Sequence, residues 1–134
     1  MIHDGDKLTF RRATIEDAKM LFDWRNDPET RAMSRDTSVL LMDNHLAWLT
    51  RRLALSEPGL YIAEIDKIPV GTVRLDQDEI SYAVSPSHRR KGIAEKMLNR
   101  AFELFGPKIA EVKRENTASV KVAERTGHII KFID

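Results

Sequence analysis

There is no cysteine in this chain. That excludes disulfides, thiolate metal sites and any mechanism through a cysteine acyl intermediate, and it is compatible with a reducing cytoplasm. No apolar run is long enough to cross a bilayer. The opening MIHDGDKLTF has none of the apolar core of a secretion signal. A cytoplasmic protein without a membrane partner is therefore expected. Charge of one sign is not in excess either: Lys and Arg number 22, Asp and Glu 21, a net charge of +1. This is not the balance of a nucleic-acid-binding protein, so an anionic ligand has to be met by locally placed cations. Glycine is sparse, and neither the three spaced glycines of a dinucleotide fingerprint nor a Walker loop is present. His3 and His128 have no pairing pattern, so no metal site is expected.

What is there is an ordinary globular composition, 42% hydrophobic and 32% charged over 134 residues, enough for one core and one domain spanning 1–134. Residues 8–13 read as a strand. Thr14 then begins a helix, with Asp17 as its capping-box partner and Ile15, Ala18, Leu21 and Phe22 on the apolar face. The helix stops near Asn26-Asp27-Pro28, and 29–37 reads as polar loop. A second helix is expected over 38–55, with Met42, Leu46, Leu49 and Leu53 at helical spacing. Segments 60–65 and 70–75 read as strands of a hairpin turning at 66–69. A strand over 79–85, a helix over 90–105, a strand over 108–113, a short helix over 117–126 and a last strand over 129–133 complete the chain. The order β-α-α-β-β-β-α-β-α-β implies a mixed α/β fold. The early strands are antiparallel, 79–113 forms a parallel βαβ unit, and helices cover both faces of the sheet.

The stretch ISYAVSPSHRRKGIA, residues 80–94, carries the most chemistry. Ile80, Tyr82 and Val84 alternate with Glu79, Ser81 and Ala83 on the two faces of a strand that Pro86 and Ser87 end. The basic loop Arg89-Arg90-Lys91-Gly92 then opens a helix whose apolar stripe is Ile93, Met97, Ala101 and Phe105. A helix start offers unpaired amides and a positive dipole end. Gly92 lets backbone approach a ligand, because no side chain stands in the way. The ligand that suits this place is a phosphate or diphosphate.

Arg89, Gly92 and Ala94 occupy an Arg-x-x-Gly-x-Ala pattern directly after a strand ending Ala-Val-Ser. The combination resembles the pyrophosphate loop of the GNAT N-acetyltransferases, which bind acetyl-CoA, and the element order agrees with that fold. The resemblance is strongest over 79–127. It implies that loop amides with Arg89, Arg90, Lys91, Ile93 and Ala94 hold the pyrophosphate. It also implies that the strand splays from its parallel neighbour, so that Tyr82, Ala83 and Val84 receive the pantetheine arm, with the Val84 amide polarising the acetyl carbonyl. Asn116 and Ser119 repeat the family's Asn-x-x-Ser at the start of the last helix, near the cofactor, although both are good helix-start residues in any case. Glu79 matches the position of a glutamate base facing the acceptor, with Ser81 as a water relay. The family tyrosine that protonates the departing thiolate falls at Ala123, which leaves solvent, Ser119 or Tyr82 to supply that proton. One further family strand is missing after residue 133. The last strand is thus expected at an exposed edge or under a partner chain, and a homodimer is one expectation.

WRNDPE at 24–29 and NHLAW at 44–48 are similar to acetyltransferases that modify nucleotide-linked amino sugars of nonulosonic acid pathways and, more loosely, to those that acetylate ribosomal-protein N-termini. The first likeness implies that Trp24, Arg25, Asn26, Arg31 and His45 bind the acceptor, with Arg25 or Arg31 on a diphosphate. Each tryptophan taken singly also fits a packing role. The expected activity is direct acetyl transfer from acetyl-CoA to a primary amine of a small molecule. Protein N-terminal acetylation and a non-catalytic CoA-binding module are the alternatives.

Overall fold

Six strands lie side by side in chain order in a computed structural model that describes residues 7–133. His3 and most of the opening segment lie outside the described residues. β1 (Leu8–Arg12), β2 (Leu60–Ile65), β3 (Ile68–Asp76) and β4 (Glu79–Val84) form an antiparallel meander. β5 (Ile109–Val112) and β6 (Ile129–Phe132) extend it in parallel. The connections dictate this. Asp66 and Lys67, at φ +54° and +65°, make the two-residue turn that suits a hairpin. The passages to β5 and β6 each carry a helix, α4 (Ile93–Phe105) and α5 (Thr117–Arg125), which supplies the crossover that a parallel pair needs.

Ile62 and Ala63 are adjacent in β2, both fully buried, and so mark the two faces of the sheet. On one face Ile62 packs with Leu21, Trp24, Leu49 and Leu60 beneath α1 (Ala18–Asn26) and α3 (Met42–Leu53). On the other, Ala63 packs with Val73, Ile80, Met97, Leu98, Ala110 and Ala123 beneath α4 and α5. The expected stripe of α4 is therefore the buried one. Gly71 sits under that helix: a Cβ there would lie 2.7 Å from the Ala83 carbonyl oxygen and 2.7 Å from Met97 Sδ. β6 is the edge strand, as expected, with Ile129 and Phe132 exposed.

Several boundaries differ from expectation. Residues 29–37 are not all loop, because they contain most of α2 (Pro28–Ala32). The Asn-Asp-Pro that reads as a stop is also a start: the Asp27 carboxylate accepts from the Thr30 N–H at 3.1 Å, and Pro28 takes the first helical position. The next helix begins at Met42 rather than at 38. Asn26 explains this, since its side chain donates to the Leu40 carbonyl (2.9 Å) and accepts from the Leu40 N–H (2.7 Å), holding that residue off the helix. Ile68 and Pro69 belong to β3, so the hairpin turn is only Asp66-Lys67. α4 starts at Ile93, because Gly92 at φ +72° is left-handed. The Thr14–Asp17 partnership is present, with the Thr14 N–H donating to the Asp17 carboxylate at 2.8 Å, but it opens a short 3₁₀ turn ahead of α1.

Candidate active site

β4 and β5 pair only at Glu79↔Ile109 and Ile80↔Ala110, although β4 continues four residues further. Two hydrogen bonds set the direction of its backbone groups. The Asp78 carbonyl accepts from the Ile109 N–H on the β5 side (2.7 Å), and the Ser85 N–H donates to the Val70 carbonyl on the β3 side (2.8 Å). Alternation along the strand then points the N–H and C=O of Tyr82 and Val84 towards β5, where no strand meets them. The splay expected from the resemblance is thus present. A cleft of about 560 Å³ opens at the gap. Tyr82, Val84, Ala94, Asn116 and Ser119 line it from the α4–α5 side, and Arg25, Trp48, Thr72, Arg74, Ser81 and Ala83 from the α1–α3 side.

The loop before α4 ends in left-handed backbone at Arg90 (φ +63°) and Gly92 (φ +72°). The first bond of the helix runs from the Lys96 N–H to the Gly92 carbonyl at 3.2 Å. The amides of Ile93, Ala94 and Glu95 precede it and have no intrahelical acceptor. No atom lies within 4 Å of a Cβ built on Gly92, so nothing else crowds the loop at that position. Arg90 and Lys91 are exposed beside it, and the Ile93 side chain is in the core. Asn116 caps α5, accepting from the Ser119 N–H at 3.3 Å.

Arg89 departs from expectation. Its guanidinium donates to Asp27 (2.5 Å) and Thr30 (2.7 Å) and pairs with Glu29 (2.8 Å). Two carboxylates at the start of α2 already neutralise it, and it fastens the loop to α2 rather than offering a free cation. The Arg89 hydrogen bond in turn holds the Asp27 carboxyl below its usual range.

On the α1–α3 side, the Arg25 guanidinium lies 4.4 Å from the centre of the Trp48 ring, and that of Arg74 lies 5.9 Å from the same ring. Arg25 is half-buried and makes no close ion pair among the described residues, although the Asp36 carboxylate in the same cleft acts on it at longer range. Burial and then the neighbouring Arg74 charge lower its pKa. Three expected acceptor residues do not line the cleft. Trp24 is core beneath the sheet. Asn26 spends both ends of its amide on Leu40. His45 is fully buried, and burial depresses its pKa. As a neutral ring its Nε2–H donates to the Ala18 carbonyl (2.8 Å), and its Nδ1 faces Arg25 Nη1 at 3.4 Å. Arg31 does line the cleft, but it also donates to the carbonyls of Asn26 (3.1 Å) and Thr37 (3.4 Å).

A family model described as the acetyltransferase (GNAT) domain matches residues 7–129. The chain belongs to the GNAT acetyltransferases. Their chemistry is acetyl transfer from acetyl-CoA, and the chain is an enzyme of that class. Solved structures share the fold. A spermidine N-acetyltransferase from Vibrio cholerae, in complex with CoA and spermine, is 18% identical (TM-score 0.77; 90% of this chain, 80% of that one). A putative acetyltransferase from Salmonella typhimurium with its cofactor acetyl-CoA is 24% identical (TM-score 0.68; 91% and 79%). An aminoglycoside acetyltransferase with coenzyme A and kanamycin is 19% identical (TM-score 0.72; 90% and 83%). The comparison with curated proteins gives no match.

For a GNAT acetyltransferase the proton carriers need placing. Glu79 starts β4 outside the lining of the cleft, so it does not contact the cleft directly; it shares a strand face with Ser81, which does line it. The carboxylates that line the cleft are engaged: Glu29 by Arg89, Asp36 by Ser38, and Glu111 by Arg35. Ala123 is fully buried in the core of this acetyltransferase. The Tyr82 hydroxyl is buried and makes no close hydrogen bond among the described residues, with the Ser119 side chain as a weak neighbour. Arg74 and Thr72 escaped the sequence reading, although a signal was there: they alternate with Val73 and Leu75, which sets a polar face on β3 opposite Ser81 and Ala83. Among the described residues no cluster could hold a metal ion, and no helix is long and apolar enough to cross a membrane.

Proposed function

We propose that this acetyltransferase transfers acetyl from acetyl-CoA directly to a primary amine on a small molecule that carries an anionic group, a nucleotide-linked amino sugar being the acceptor the residues suit best. The observation that carries the reading is the interrupted β4–β5 ladder, which leaves the N–H and C=O groups of Tyr82 and Val84 open to the cleft. When bound, acetyl-CoA supplies an electrophilic thioester carbonyl. The open amides at the start of α4, with Arg90 and Lys91 beside them, meet its diphosphate. The unpaired backbone of Tyr82 and Val84 takes the amide groups of the arm, and the Val84 N–H is the donor for the carbonyl oxygen on which charge develops. The attacking amine gives up its surplus proton to water at Ser81, and from there to Glu79 on the same strand face.

Arg25 and Arg74 support the anionic acceptor. Two guanidinium groups lie 4.4 and 5.9 Å from the centre of one indole ring in the cleft. Arg25 makes no close ion pair among the described residues and feels the Asp36 carboxylate only at longer range, and Arg74 is balanced by Asp76. A phosphate fits two converging guanidiniums, and the indole offers a surface to a flat or apolar ring. A polycation would meet repulsion there.

Thiol release from acetyl-CoA, followed with a nucleotide-linked amino sugar, the same sugar without its nucleotide, and spermidine, tests this. Turnover is expected with the anionic acceptor. Arg25→Gln removes a charge-assisted contact worth about 1.5–3 kcal/mol, so KM for that acceptor should rise by about ten- to a hundredfold while kcat changes little. Turnover with spermidine alone, or an unchanged KM in the variant, would contradict the reading.

A further inference from the structure

Thioester aminolysis puts an electron pair on sulfur as the C–S bond breaks, and a proton has to follow for coenzyme A to leave as a thiol. The carboxylates lining the cleft are engaged in ion pairs or hydrogen bonds, and the fully buried Ala123 carries no acid. We propose that Tyr82 is the proton donor to the departing sulfur, an assignment that rests on the functional reading above.

Three features of the fold support it. The Tyr82 hydroxyl is buried and makes no close hydrogen bond among the described residues, the Ser119 side chain being a weak neighbour that leaves it under-satisfied. A buried hydroxyl left unpaired is costly, and the cost is relieved when a ligand supplies the partner. Tyr82 also occupies the middle of the unpaired segment of β4, so a ligand arm inserted between β4 and β5 passes beside it. Its ring lies on the α4–α5 side of the sheet, where Ser119 lines the same cleft. Burial raises the phenol pKa, and the neighbouring Ser119 hydroxyl offsets part of that rise. Neither cause is a charged group, and the phenol is protonated throughout the neutral range.

The step balances without a further reactant. The amine nitrogen forms a bond to the carbonyl carbon, the C–S bond breaks with its pair on sulfur, and the Tyr82 hydroxyl gives its proton to that sulfur. Ser119 passes a proton from solvent back to the phenol, so a buried phenolate does not accumulate. The surplus proton of the amine leaves on the opposite face of β4, past Ser81. The donor and the base therefore stand on opposite faces of one strand.

The test titrates the thiol of bound coenzyme A by its thiolate absorbance, which needs no acceptor. A hydrogen bond from Tyr82 to the thiolate should make the bound thiol titrate lower in the wild type than in Tyr82→Phe, by about one unit or tenfold in the ionisation constant. The chain has two tyrosines, so in a Tyr61→Phe background fluorinated tyrosine enters only at position 82. That protein keeps the hydroxyl and serves if Tyr82→Phe does not fold. Its more acidic phenol should lower the thiol titration further. Identical thiol titrations in all these proteins would overturn the assignment while leaving the acetyltransferase reading intact. A wild-type protein that bound no coenzyme A would overturn the functional reading itself.

Discussion

Gly92 sits at φ +72° with nothing within 4 Å of where a Cβ would stand. Its backbone thus needs glycine for conformation, while the space beside it is open for a ligand. Gly92→Ala forces an L-residue into left-handed backbone, at about 1 kcal/mol of stability. Gly92→Asn relieves most of that strain but fills the same space. Both should weaken CoA binding by roughly five- to tenfold, the worth of about 1 kcal/mol of anion contact at a helix start. Calorimetry checks this, and an Asn variant with wild-type affinity would show that strain alone matters. Side-chain roles at this scale were less legible than the glycine. Gly92 was readable because its requirement is local. Arg89 read as a phosphate ligand because its partners Asp27 and Glu29 are about sixty residues away in the chain. His45 and Trp24 read as acceptor residues, yet their side chains lie in the interior.

The elements are held to one another by a few well-placed ion pairs. Arg11 on β1 donates to both oxygens of Asp17 (2.8 and 2.9 Å) and to Glu64 on β2 (2.9 Å), tying the first two strands to the start of α1. The Arg11 hydrogen bonds, with help from the Thr14 N–H, hold the Asp17 carboxyl below its usual 3.8. A carboxyl with a depressed folded-state pKa contributes stability that is fully present above 3.8 and is lost as pH falls through the folded value. Asp17→Asn should therefore cost on the order of 2 kcal/mol at neutral pH. The melting temperatures of variant and wild type should converge in acid; a constant gap down to low pH would show that the contact is not electrostatic. Element types were legible because apolar spacing is a local property: the α4 stripe and the alternation in β4 emerged as expected. Element ends were not, since Asn26 reaches Leu40 across fourteen residues and delays α3.

At the scale of the molecule, β1 to β4 pair along most of their length, with one register shift at Ala63/Glu64, whereas β4 and β5 stop pairing after two residues. A ligand lying in that gap bridges the two strands and binds only the folded chain. Coenzyme A at about a hundred times its Kd should thus add about 2.7 kcal/mol of stability and raise Tm by roughly 5–10 °C in a chain of this size. Thermal scans with and without coenzyme A measure it, and an unshifted Tm would count against occupation of the gap. The sequence by itself determined the order of strands and helices, the glycine turn that opens α4 and the strand that leads to it, because spacing, capping and backbone preference act over a few residues. Only the tertiary structure decided which cations meet the cleft and what they pair with. Arg89 is neutralised by α2, while Arg25 and Arg74 converge on Trp48, Arg74 with Asp76 as its ion-pair partner. Such pairings depend on which faces the fold brings together across long stretches of chain, and no local pattern encodes them.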